Sequence, residues 1–280
     1  MVHSVTNRIS QIKQPRGGYV NPNMCFTVNL IDGVALNENE NVHSSVVGLV
    51  VDYLTRFMTC GNVYEAFKIS IQGFTIAEKC GFPNAIAVGT QLLNGIKGVD
   101  DASVINACKL VTFDVWRRSL DTAVGCKTYA DTNPDKDTIQ NIRTMVGRSL
   151  IFFKEYGPVI ENDFTFYPEN PDNADYERMI ETGHGTYGGY TYTVSGGDGD
   201  FLTEDTMWDF KCSKSKPTSK HTLQLLMYWV MGQHSGREVY KHIKRLGIYN
   251  PRLNNVYILN IDGIPDEVIA TVEKDIICYE

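Results

Sequence analysis

The sequence predicts a mixed α+β protein, helical in its first half and alternating strands with helices in its second. Four segments with apolar residues near helical spacing, Ser44–Cys60, Val63–Cys80, Asn84–Lys97 and Ala102–Ala123, are separated by glycine breaks at Gly61, Gly81 and Gly98. A turn-rich stretch at Asp131–Asp137 then leads into one long amphipathic helix, Asp137–Tyr156. Beyond it come short runs with the two-residue period of strands, punctuated by glycine and turn residues. A chain of 280 residues can form one large domain or two modest ones. The expected divisions are an irregular arm over 1–43, a helical region over 44–130 and an α/β domain over 131–280.

In order, residues 1–43 are polar and read as irregular, apart from a short strand at Cys25–Leu30. Asp100-Asp101 favours a helix start before Ala102. Asp52 and Arg56 lie four apart on their helix and suit a simple pair. Arg117 and Arg118 are able to touch phosphate, or to form a solvated edge. Gly157-Pro158 ends the long helix. Glu161–Gly185 reads as irregular. Tyr187–Val194 reads as a strand whose tyrosines could stack bases or be half-buried. After the Lys214–Lys220 loop, Ser219–Gly232 and Ser235–Leu246 read as helices, Val256–Ile261 as a strand and Asp266–Lys274 as a last helix.

The chemistry concentrates in Gly196–Tyr228. Asp198–Leu202 and Met207–Lys211 are strand-like runs around a tight turn at Thr203–Thr206. A hairpin centred there sets Asp200 opposite Asp209, Phe201 opposite Trp208 and Leu202 opposite Met207. Side-chain alternation then puts Asp200, Asp209 and Lys211 on one face and Phe201, Trp208 and Phe210 on the other, buried one. Two carboxylates at cross-strand distance can hold a hard cation such as Mg2+, with Mn2+ able to substitute. Such an ion lowers the pKa of bound water and screens a phosphoryl group. Lys211 could orient the water or stabilise a developing oxyanion.

The string Gly197-Asp198-Gly199-Asp200, Asp209-Phe210-Lys211, Gln224-Leu225-Leu226-Met227-Tyr228 resembles the active-site region of the PD-(D/E)XK nucleases, and among them the RecB-like exonucleases. It departs from their pattern at Gly199, where proline is common. The resemblance implies a restriction-endonuclease-like core of helix, three strands, helix and strand. It implies that Asp200, Asp209 and the Phe210 carbonyl bind the metal, that Lys211 serves the hydrolytic water, and that Gln224 and Tyr228 line the nucleic-acid path. An upstream acid can join such a site, and Glu155 and Glu161 are the candidates.

The net charge of −7 excludes a uniformly nucleic-acid-attracting surface. From Thr206 to Asn255, however, nine basic residues face two acidic ones. Lys214, Lys216, Lys220 and Arg252 are therefore expected to bind the phosphate backbone of DNA. Seven cysteines without a Cys-x-x-Cys fit free thiols in a reducing cytoplasm. No apolar run is long enough to span a bilayer. Self-association and a protein partner stay open, as does a catalytically silent module on the same fold. A calcium loop at Gly196–Asp200 is the weaker rival, because Leu202 and Thr203 occupy positions that an EF-hand reserves for an oxygen ligand and glycine.

Overall fold

Helix α2 (Ser44–Cys60) forms over the span its periodicity predicts, and its left-handed C-cap is Gly61. It follows a short helix, α1 (Val5–Gln11), and a strand, β1 (Phe26–Asn29). The computed structural model describes residues 3–280. Next come α3 (Lys68–Lys79), α4 (Ala85–Asn94), α5 (Asp101–Leu110) and α6 (Lys136–Tyr156). Then follow β2 (Glu161–Asn162), α7 (Asn173–Thr182), β3 (Phe201–Leu202), β4 (Thr206–Phe210), α8 (Ser219–His234), β5 (Arg245–Asn250) and β6 (Asn255–Asn260).

The six strands form one mixed sheet in the order β1-β6-β5-β4-β3-β2. All neighbours are antiparallel except β4 and β5, which run parallel. A parallel neighbour needs a long crossover, and α8 provides it. Gly247 on β5 lies opposite Trp208. A Cβ there would stand 2.3 Å from the indole, so glycine makes the room that Trp208 fills.

Helices cover both faces of the sheet. On one side Phe201, Trp208, Phe210 and Tyr249 pack with Phe152 of α6 and with Val47 and Val50 of α2. Phe152 and Tyr249 stack at 3.9 Å. On the other, Leu202, Met207, Leu246 and Ile248 meet Leu223, Leu226 and Met227 of α8. Every residue of β4 is buried. The expectation of a single buried face therefore understates the packing, and the carboxylates share their face with α8 rather than with solvent.

Several expected elements come out differently. The Ala102–Ala123 helix stops at Leu110 and gives way to a 3-10 turn and two short helices. Ser235–Leu246 is not a helix: a 3-10 turn at Glu238–His242 leads into β5. Val239, Ile243 and Leu246 recur at helical spacing, but they belong to the 3-10 turn, the residue after it and the start of the strand. Tyr187–Val194 is not one strand but a tight hairpin, Thr186–Tyr187 against Tyr190–Thr191. The supposedly irregular Glu161–Gly185 supplies β2, α7 and two fully buried rings, Phe164 and Phe166. The 1–43 arm carries the strand expected at Cys25–Leu30, as β1, but adds a helix not expected there, α1. Among the described residues no helix is long and apolar enough to cross a membrane, and all seven cysteines are free thiols.

Candidate active site

A cleft of about 780 Å³ opens at the end of β4, between α2 and α8. The β3–β4 hairpin sets its floor, pairing Phe201 with Trp208 and Leu202 with Met207 in the register the sequence predicts. Asp200 precedes β3, Asp209 lies within β4, and Lys211 follows it. All three line the cleft.

Asp209 is 3 % exposed. Its Oδ1 accepts a 2.7 Å hydrogen bond from Lys211 Nζ, while its buried Oδ2 has no hydrogen-bond partner. Asp200 Oδ2 accepts from the Phe210 N–H at 2.5 Å, which ties the first acid to the strand bearing the second. Burial, and next the charge of Asp209, push the Asp200 carboxyl up to about 6 against the pull of Lys211. Burial alone would depress Lys211, but Asp209 and Asp200 outweigh it and hold the ammonium above its ordinary pKa.

Gln224 and Tyr228, one turn apart on α8, also line the cleft. Gln224 Nε2 donates to the Tyr228 hydroxyl at 2.9 Å. The Tyr228 ring is buried and its hydroxyl is held well above its ordinary pKa by that burial. His221 is a local cap acceptor: the Thr218 N–H donates to its Nδ1 at 3.1 Å, and burial, followed by Lys211, depresses its pKa to about 4. Gly199 has a steric explanation. A Cβ there would lie 1.8 Å from the Phe164 ring, so a proline cannot occupy this position while that ring stays in place.

Sequence reasoning passed over Asp52, Arg56 and Asp163. Asp52 and Arg56 do pair, at 2.8 Å, but they do so inside the cleft. Arg56 also grips Asp163, whose other oxygen meets Lys68 at 2.7 Å. Burial, together with the charges of Asp200 and Asp163, pushes Asp52 up to about 6 despite Arg56. One signal was available: Asp52 and Arg56 are the only charged residues in the 17-residue α2.

Other expected site residues lie elsewhere. Arg252 is locked in a buried bidentate pair with Glu40, both bonds 2.9 Å. Lys214 and Lys216 line a different cavity with the Asn29–Ala35 segment, and Lys220 is exposed in the first turn of α8. The loop after Lys211 turns towards the N-terminal arm, where Lys214 Nζ reaches the Glu38 carbonyl at 3.4 Å. Glu155 is exposed on α6, and Glu161 is held by Arg237 at 2.8 and 3.0 Å. The cations that do line the cleft beside Lys211 are Arg56, Arg117 and Arg118.

Among the described residues no group of three or more His, Cys, Asp or Glu side chains is gathered to hold a metal ion. A cation here would rest on two carboxylates, a backbone oxygen and water. That hard-oxygen set suits Mg2+, which keeps several waters. The unpartnered Asp209 Oδ2 is the atom that fits it. Comparison with protein-family models, curated proteins and solved structures finds no match to this chain.

Proposed function

We propose that the protein is a metal-dependent nuclease of the PD-(D/E)XK type that hydrolyses phosphodiester bonds of DNA. The observation that carries this reading is Asp209 Oδ2, a buried carboxylate oxygen without a partner, in a cleft shared with Asp200, Lys211, Gln224 and Tyr228. Leaving such an oxygen unpaired is costly, and a hard cation would satisfy it. The sheet supports the same reading. Setting aside α7 and the Thr186–Thr191 hairpin, which are inserted between β2 and β3, the elements α6, β2, β3, β4, α8 and β5 follow the order helix, three strands, helix, strand, with the last strand parallel to the third.

Asp200, Asp209 and the Phe210 carbonyl would hold Mg2+ or Mn2+. The ion supplies a water of lowered pKa and a charge that offsets the phosphate's. Lys211 keeps its proton, so it works as a donor and a cation rather than as a base. Gln224 and Tyr228 position the substrate from α8. Asp52 adds a third negative group beside Asp200. Arg56, Arg117 and Arg118 bring positive charge to a cleft otherwise rich in acids.

The test is cleavage of labelled DNA in Mg2+ or Mn2+. Metal catalysis is worth several kcal/mol, so Asp209→Asn and Lys211→Ala should each lose roughly 1,000-fold in rate while remaining folded. Undiminished cleavage by either variant overturns the assignment. A silent binding module is favoured by one observation: among the described residues no third ligating side chain is gathered with the two acids. That reading predicts a mobility shift without cleavage in both metals.

A further inference from the structure

Beside the acids, the cleft wall carries an aromatic ring placed as a stacking surface. Tyr167 lines the cleft and is 44 % exposed, although its neighbours Phe164 and Phe166 are fully buried. It is braced from behind. Its ring sits 4.6 Å from that of Tyr190, tilted by 42°, and 6.0 Å from that of Tyr187. Both supporting rings are buried. The turn between them, Gly188-Gly189, lets the hairpin pack close against the Phe166–Pro168 backbone and against α8. Gly188 has φ +57°, and a Cβ on Gly189 would stand 2.1 Å from the Met231 carbonyl of α8. The same support is tied to the acids, because the Tyr190 hydroxyl donates to the Gly197 carbonyl at 2.7 Å, three residues before Asp200. Arg117 and Arg118 line the same cleft.

Resting on the nuclease reading, we propose that the cleft takes a single-stranded polynucleotide, one unpaired base stacking on Tyr167 while Arg117 and Arg118 hold the adjoining phosphates. Inside a duplex each base already has its faces covered by its neighbours, so none is free to cover Tyr167. The depth of the acids points the same way: Asp209 is 3 % exposed, within reach of a flexible backbone but awkward for a rigid rod. Stacking tolerates any base, because every base has a π face, so this wall predicts little sequence preference. The sugar is left open, since an unpaired base of DNA or of RNA offers the same face.

The experiment measures cleavage and binding of three labelled substrates of one sequence: single-stranded DNA, single-stranded RNA and blunt duplex DNA. Binding is read by fluorescence anisotropy without divalent ions. Both single strands, or one of them, should bind more tightly than duplex. Tyr167→Ala should weaken that binding and raise KM by roughly tenfold, with a much smaller change in kcat, and Tyr167→Phe should restore both. A difference between the DNA and RNA arms assigns the sugar. Equal handling of duplex and single strand, or wild-type KM in Tyr167→Ala, overturns the proposal even if the enzyme cleaves. Failure to cleave any substrate, with Tyr167-dependent binding of single strands intact, removes the nuclease reading and leaves this one standing.

Discussion

Two sets of cations teach different things about this molecule. Lys214, Lys216, Lys220 and Arg252 follow the Asp-x-Lys motif in sequence, yet none of them lines the cleft that holds it. Arg56, Arg117 and Arg118 come more than 80 residues before Asp200 and stand inside it. The difference lies in where the chain goes after β4. It runs on towards the arm, where Lys214 meets Glu38, whereas α2 and the short 114–118 helix are held at the cleft by the core they share with α6. Local charge density reports the path of the chain. Proximity to a site is set by packing between elements remote in sequence.

The sharpest way to break the comparison is Arg252. Its guanidinium and the Glu40 carboxylate are each only 6 % exposed. Removing one partner strands the other charge in the interior, which costs about 3–5 kcal/mol. Arg252→Ala should therefore lower the melting temperature markedly, and the DNA affinity of the protein that remains folded should not change. A stable Arg252→Ala that has lost DNA affinity would return this residue to the binding surface.

Next in size is a linkage between protons and metal. Asp52 and Asp200 are both pushed up to about 6, chiefly by burial, in a neighbourhood that also holds Asp163, Asp209, Arg56 and Lys211. Unfolded, each would ionise near 3.8. Between these values the native state binds more protons than the unfolded one, so stability falls as pH rises through about 4 to 6. On the proposed reading, a divalent cation would replace those protons. Mg2+ should raise the melting temperature near neutral pH by roughly 2–4 °C, for a gain of about 1 kcal/mol, and far less below about pH 5. An equal shift at both pH values, or none at either, would contradict a metal held by these acids.

The hairpin was legible because both its signals are local. The Thr203–Thr206 turn fixes the register, and Phe201 and Trp208 fix the faces, so Asp200, Asp209 and Lys211 fall on one side. The helix bearing Gln224 and Tyr228 was legible for the same reason. What escaped depended on distant contacts. Strand β5 is covered on both faces, which erased its alternation. Asp52 looked like half of an ordinary i,i+4 pair, and nothing local shows that α2 abuts Asp200. Tyr167 sat in a stretch read as irregular, because the rings that support it, Tyr187 and Tyr190, belong to a hairpin 20 residues further on. Of the two readings open for the Tyr187–Val194 tyrosines, stacking or burial, Tyr190 takes burial and serves as the backing.

The smallest effect sharpens the opening contrast most directly. Each phosphate contact made by a basic side chain adds roughly 0.7 to 0.9 to the slope of log affinity against log salt. If Arg117 and Arg118 meet the backbone, replacing either by alanine should flatten that slope by about that amount, close to a threefold change between about 50 and 200 mM salt. Arg117 is the cleaner probe, since its Nε engages only the Gln72 side chain at 3.0 Å, whereas Arg118 also supports the buried Tyr53–Asp114 pair. The triple variant Lys214→Ala, Lys216→Ala, Lys220→Ala should leave the slope unchanged despite removing three charges. A general field effect of the basic segment predicts the reverse ranking, with the triple variant steepest in its loss. The two slopes therefore decide whether nucleic acid is held by the cleft or by the surface nearest the motif in sequence.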